Sequence, residues 1–242
     1  MKSVKTPNLP KEKISLAAVG NYPEIITALQ SLGIKTLSFE NGTLSPETAR
    51  HQDMLLCHTG DNKIFLDPSQ DKNLLEDEGF QVSLCAPILG AYPHDVKLNV
   101  AVADTYFICN EKTADPDLIK ALKEQGKRCI NTNQGYTKCS VCFVTENAVI
   151  TEDESIFKTL KDTDTDTLLI SKGDIFLSDR HYGFFGGSSG KISADTLAVT
   201  GSLSTHRDGE RIKEFCHTHG VEILELTKDR IIDVGGILPL KS

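Results

Sequence analysis

One pattern recurs along this chain and constrains its fold more than any other feature. A short amphipathic helix ends at a glycine, and an apolar strand follows. It reads Leu29-Gln-Ser-Leu-Gly33-Ile-Lys-Thr-Leu, then Leu75-Glu-Asp-Glu-Gly79-Phe-Gln-Val, Leu122-Lys-Glu-Gln-Gly126-Lys-Arg-Cys-Ile and Phe215-Cys-His-Thr-His-Gly220-Val-Glu-Ile-Leu. Glycine at a helix C-terminus adopts the left-handed conformation without a Cβ penalty. The intervals between Gly33, Gly79, Gly126 and Gly220 are 46, 47 and 94, so one copy is missing from the last interval. Leu160 to Ile170 fits that copy, with Asp164 where glycine would stand.

A second landmark follows each of the first four copies: strand, polar turn, strand. The turns centre on Asp61-Asn62, Ala103-Asp104, Glu146-Asn147 and Ala194-Asp195. The predicted hairpins run from Met54 to Asp67, Leu98 to Asn110, Cys139 to Thr151 and, more weakly patterned, Gly187 to Thr200. The fifth copy has no hairpin of its own. Ile231 to Leu240 supplies one strand, and Ile14 to Val19, at the other terminus, supplies its partner. Five units of about 48 residues fill the 242-residue chain, as expected of a closed array of supersecondary units. The expectation is a single α/β domain over 1–242, a five-bladed α/β propeller with approximate repeats 14–68, 69–112, 113–154, 155–202 and 203–242. A two-layer α/β domain whose units resemble one another by chance is the alternative.

Charge and composition narrow the partners. Lys plus Arg number 26 against 34 Asp plus Glu, a formal charge of −8, which argues against nucleic-acid binding because phosphate contacts need clustered cations. It suits a cationic small molecule. Ile14 to Val19 is too short for a signal core, and no apolar run reaches membrane-spanning length. The seven Cys are therefore read as reduced thiols in a cytoplasmic protein without membrane contact. No cofactor and no resident metal are expected; self-association is left open.

The repeat lets equivalent positions be compared. Nine residues before each turn stand Asp53, Asp95, Lys138 and Gly186; two residues earlier stand His51, Pro93, Tyr136 and Phe184. Side chains two apart share one face of a strand, so His51 and Asp53, like Tyr136 and Lys138, are expected to point together. If these strands line the axis, Asp53, Asp95, Lys138, His51 and Tyr136 converge on one pocket. Such carboxylates match a planar guanidinium through forked hydrogen bonds. The alternative is that Asp53 and Asp95 cap turns and Lys138 neutralises them.

These segments resemble the guanidine-modifying, or pentein, superfamily of arginine deiminases, dimethylarginine dimethylaminohydrolases and amidinotransferases. The resemblance runs through all five units. It rests on His51-Gln-Asp53-Met, His94-Asp95-Val, Tyr136-Thr-Lys138-Cys139-Ser and Asp233-Val-Gly-Gly236. It implies a five-bladed α/β propeller and a central pocket for guanidino compounds. It also implies a nucleophilic Cys assisted by a His, with Asp53 contacting the guanidinium and Asp95 matching the acid of the next unit. The family's Cys follows a Gly-rich turn near the C-terminus. Here Gly235-Gly236 leads into Ile237-Leu-Pro-Leu240, and no Cys lies beyond Cys216. The family's His falls near Tyr136 or Thr137, where this chain has none. The superfamily also includes a non-catalytic ribosome anti-association factor.

Cys139 is the replacement nucleophile the residues offer, because the adjacent Lys138 ammonium favours a thiolate. His51 is its acid or base. On a regular strand Cys139 would face away from Lys138 as a buried apolar residue, unless a bulge re-aims it. Cys139-Ser-Val-Cys142 has redox spacing but lies in a strand with no second pair for zinc. Cys216-His217-Thr-His219 is read as a helix end. Gly186-Gly-Ser-Ser-Gly190-Lys191 fails the phosphate-loop pattern at Phe185 and Ile192 and is read as an anion nest or a slim pocket wall. Asp162 to Thr167 is read as a solvated loop. Two functions stay open: an enzyme acting on a guanidino or amidino C–N bond, as hydrolase or amidinotransferase, and a non-catalytic binding or interaction protein.

Overall fold

A computed structural model describes residues 2–178 and 181–242. Strand β1 (Leu16–Ala18) leads into helix α1 (Pro23–Ser31) and β2 (Lys35–Leu37). A single helical turn, α2 (Gln52–Leu55), opens the next unit and runs into β3 (Leu56–Gly60), β4 (Lys63–Leu66), α3 (Asn73–Glu76) and β5 (Gln81–Leu84). The third holds β6 (Ala101–Val102), β7 (Tyr106–Cys109), α4 (Pro116–Glu124) and β8 (Arg128–Asn131). Then come α5 (Thr137–Ser140), β9 (Cys142–Thr145), β10 (Ala148–Thr151), α6 (Glu154–Lys161) and β11 (Asp166–Leu169). The chain ends with β12 (Ser189–Lys191), β13 (Thr196–Val199), α7 (Gly209–Thr218), β14 (Glu222–Glu225) and β15 (Leu238–Lys241).

These strands form five three-stranded sheets of one design. In each, the central strand pairs antiparallel with a hairpin partner and parallel with the strand reached through the helix. In the fifth sheet β1 pairs antiparallel with β15 and parallel with β2, so the first and last strands share it. All four expected turns separate hairpin strands. Gly33, Gly79, Gly126 and Gly220 all take positive φ, between 70° and 84°. The copy without glycine is present as α6 and β11, and the chain passes Asp164 without a positive φ.

The helices bury the same spacing each time. Ile25 and Leu29, Leu118 and Leu122, Ile156 and Leu160, Ile212 and Cys216 are all fully buried i, i+4 pairs. Each burial of a large apolar side chain contributes about 1.5–3 kcal/mol, enough to fix which face of a short helix meets its sheet. Asp115 and Asp153 cap α4 and α6, each accepting from two backbone N–H groups. Among the described residues no helix is long and apolar enough to cross a membrane.

Candidate functional site

The segments that precede the hairpins meet, and hydrogen bonds link them unit to unit. Asp53 N–H donates to the Gly235 carbonyl at 3.1 Å. The Asp53 carbonyl accepts from Asn99 Nδ2 at 3.1 Å, and Asn99 Oδ1 accepts from the backbone of Lys138 at 2.7 Å and Cys139 at 3.2 Å. The Cys139 carbonyl accepts from Gly187 N–H at 2.8 Å, and the Gly187 carbonyl from Gly236 N–H at 2.7 Å. The path visits all five units and returns to the first. Asn99, the buried clamp of this path, was not among the residues expected. Counting nine back from the turn selects Asp95 in its unit, but a two-residue β6 shifts the alignment. The available signal was one polar residue inside the apolar run Leu98 to Val102.

Above this path lies a cavity of about 500 Å³, lined among others by His51, Met54, Asp95, Tyr136, Cys139 and Asp233. The expected strand period does not hold here. Residues 52–55 and 137–140 are single helical turns, and on a helix it is i and i+3 that share a face. His51 and Met54 therefore line the cavity together, as do Tyr136 and Cys139. This corrects the expected pairing of His51 with Asp53 and of Tyr136 with Lys138. It also explains how Cys139 reaches the cavity without a bulge. Asp53 and Lys138 are buried beside the cavity without lining it. Lys138 Nζ donates to the Gly186 carbonyl at 3.1 Å.

Several groups in and beside the cavity lack partners. His51 Nε2 and Asp95 Oδ1 are buried without a hydrogen bond, as are both Asp53 carboxylate oxygens. His51 Nδ1 lies 3.7 Å from Asp233 Oδ1. Asp233 is held rigidly: Oδ2 accepts from Phe184 N–H at 2.8 Å and Oδ1 from Gly235 N–H at 3.0 Å. The other Asp95 oxygen accepts from Tyr136 Oη at 2.8 Å. Burial raises the Asp53 carboxyl pKa above its usual range, against the opposing charges of His51 and Lys138. Burial likewise raises Asp95. The Cys139 thiol lies within donating reach of Asp53, yet no aligned bond forms to either carboxylate oxygen.

Cys139 does not carry the thiolate that a neighbouring lysine suggests. Burial, then the negative charges of Asp53 and Asp233, push its pKa well above that of a free thiol. The Lys138 ammonium is turned to the Gly186 carbonyl, and only Asn99 Nδ2, 3.1 Å from the sulfur, opposes the rise.

The remaining motifs resolve simply. Cys142 is buried in β9 and Cys216 in α7, and all seven Cys are unpaired. His219 Nε2 lies 2.9 Å from an Asp166 carboxylate oxygen. Among the described residues no cluster of three His, Cys, Asp or Glu side chains could hold a metal ion. The glycines of the 186–190 loop provide close packing. A Cβ on Gly187 would overlap Asp233, and one on Gly190 would overlap the Ile237 carbonyl.

Glu152 supports the Phe184–Gly187 segment from behind, its Oε1 accepting from Phe185 N–H at 2.8 Å. It is fully buried, and burial raises its pKa to about 8. A carboxyl raised in the folded state stabilises the fold fully below its unfolded pKa, and that contribution is lost as pH rises through the folded value. The fall in unfolding free energy between pH 6 and 9, from urea titrations, is expected to be about 3 kcal/mol larger in the wild type than in Glu152→Gln. Equal pH 6-to-9 changes in the two proteins would contradict this.

The sequence matches, over residues 18–238, the model of a family described as a family of unknown function, DUF6873. The chain belongs to that family. No functionally curated protein matches its sequence. Solved structures do match its fold. Inosamine-phosphate amidinotransferase of Streptomyces griseus aligns over 97% of this chain and 94% of its own, at 12% identity and a TM-score of 0.58. The agmatine deiminase of C. jejuni aligns over 94% and 90%, at 10% identity and 0.57. DDAH from Pseudomonas aeruginosa aligns over 93% and 96%, at 8% identity and 0.55. The fold of this DUF6873 member is thus the pentein fold that its motifs resemble.

Proposed function

We propose that this chain is a closed five-bladed propeller whose central cavity binds a small guanidino-type cation and acts on its C–N bond. The circuit of hydrogen bonds through all five units, and the sheet shared by β1 and β15, support the closed ring. The observation that carries the chemistry is that Cys139, His51 and Asp233 line one cavity, with His51 Nε2 unpartnered and its Nδ1 facing Asp233. The arrangement has the logic of a nucleophile, a base and a group orienting the base. Cys139 Sγ forms a bond to the guanidinium carbon. His51 Nε2 takes the thiol proton and passes it to the departing amine. Water then cleaves the C–S bond and restores the thiol; an acceptor amine in place of water gives amidino transfer. Asp95 Oδ1 is the cavity's free acceptor for the cation's N–H groups.

The test is release of ammonia or amine from a panel of guanidino compounds. Turnover is expected in the wild type, with a loss of at least about 10³-fold in Cys139→Ser and His51→Asn alike. Turnover that survives Cys139→Ser rules out this nucleophile. One observation favours a second reading, binding without chemistry: the Cys139 thiol is held protonated by its surroundings. Ligand-induced thermal stabilisation with no turnover by any compound supports that reading instead.

A further inference from the structure

One wall of the cavity is aromatic from floor to mouth. Tyr136 stacks on Phe184, with ring centroids 6.4 Å apart and planes at 25°. Tyr92 continues the row from Tyr136 at 5.9 Å, and Tyr182 meets Phe184 edge-on at 6.2 Å. Tyr136 and Phe184 are half-buried, whereas Tyr92 and Tyr182 stand 52% and 45% exposed. Exposed aromatic rings in a continuous row with buried ones are apolar surface the fold leaves in water, an arrangement that suits a ligand. Tyr92 has a fixed seat. Gly135 packs against its ring, whose Cε2 would lie 2.5 Å from any Cβ there. On the floor, the Tyr136 hydroxyl donates to Asp95 Oδ2, so the ring is tied to the carboxylate whose other oxygen is free.

From this geometry we infer that the cavity is built for a planar cation bearing an aromatic or bulky apolar substituent, with Tyr92, Tyr136, Phe184 and Tyr182 setting that specificity. The head donates to Asp95 Oδ1 at the floor. The substituent lies along the wall and leaves the mouth between Tyr92 and Tyr182. The floor rings supply a face for the cation as well as for the substituent. Polar side chains at the mouth do not offset this preference: Glu47 Oε2 and His181 Nδ1 lie 3.2 Å apart and engage each other.

The inference rests on the proposed guanidino site, and calorimetry with three probes separates the two. Benzylguanidine is expected to bind at least about tenfold more tightly than methylguanidine. Benzylurea, with the same ring but no charge, is expected to bind at least about tenfold more weakly than benzylguanidine. Tyr92→Ala, at an exposed position that the core does not need, is expected to remove most of the benzylguanidine advantage and leave methylguanidine within twofold. Gly135→Ala, which displaces the Tyr92 ring, is expected to do the same. Equal affinity for benzylguanidine and methylguanidine would overturn the aromatic specificity and leave the cation site standing. Equal affinity for benzylurea and benzylguanidine would overturn the cation site and leave the aromatic wall. No binding of any probe overturns both.

Discussion

Gly186→Ala is expected to destabilise the fold by about 4 kcal/mol, while Gly42→Ala changes stability by less than about 0.5 kcal/mol. A Cβ at position 186 would sit 2.6 Å from the carbonyl oxygens of both Cys139 and Lys138 and overlap that of Val141. All three are backbone atoms. Side chains can rotate away from an added methyl, but these carbonyls cannot without moving the unit that carries Cys139. Two of them are also engaged: the Cys139 carbonyl accepts from Gly187 N–H and the Lys138 carbonyl from Val141 N–H. The Gly186 carbonyl itself holds the Lys138 ammonium. Ordinary overpacking in a core costs about 1–3 kcal/mol, and breaking a buried hydrogen bond adds about 1–3 kcal/mol. Gly42 has open space around it and no positive φ, so it isolates the intrinsic effect of adding a methyl. Urea denaturation of both variants checks the prediction; equal midpoints would show that the units are not packed through this contact.

This crowding explains how much of the fold was legible in the sequence. The repeat could be read because its marks are local. A glycine ending a helix and a polar turn between apolar strands both leave residue-level signatures, and Gly33, Gly79, Gly126 and Gly220 stand at matching positions. The strand shared by the termini followed from a unit count that left one hairpin incomplete. The site was harder, because its residues lie where the repeat is least regular. His51 and Cys139 line the cavity, but not through a strand period. A period of two was applied to segments that form one helical turn each. Four residues are too few for a helical period to show in a sequence, and Gln52–Leu55 runs straight into β3. Asp233 appeared only as part of a motif, since its role depends on Gly183 and Gly187, fifty and forty-six positions away, giving it room. Asn99 escaped because its partners are backbone groups in other units, which no local pattern records.

Cys139 is expected to alkylate more than about 100-fold more slowly than an ordinary thiol at pH 7, with a rate that rises about tenfold per pH unit to pH 9 without levelling. Burial, then the negative charges of Asp53 and Asp233, raises its pKa. Slow reaction through poor access alone would scale the rate without moving its pH dependence, so the pH at which the rate levels off separates a raised pKa from sterics. Peptide-resolved mass spectrometry after iodoacetamide pulses gives the rates, with Cys129 as internal comparator. That thiol is only partly buried, and the neighbouring Cys109 lowers its pKa, so it reacts first. Asp233→Asn removes one of the two negative charges and is expected to speed Cys139 alkylation at pH 8 and to lower the pH at which the rate levels off; a faster rate with an unchanged pH dependence would report looser packing around the buried thiol instead. A wild-type rate that bends toward a plateau by pH 9, as that of an unshifted thiol does, would overturn this electrostatic picture. The same charges give the proposed reaction its trigger. A guanidinium entering the cavity brings positive charge near Asp53 and Asp233, offsetting the negative charges that, after burial, raise the thiol pKa. Deprotonation of Cys139 is then coupled to the arrival of a cation. Turnover should accordingly show an apparent pKa at least about one unit below that of alkylation in the empty cavity, and a neutral analogue should not produce that shift.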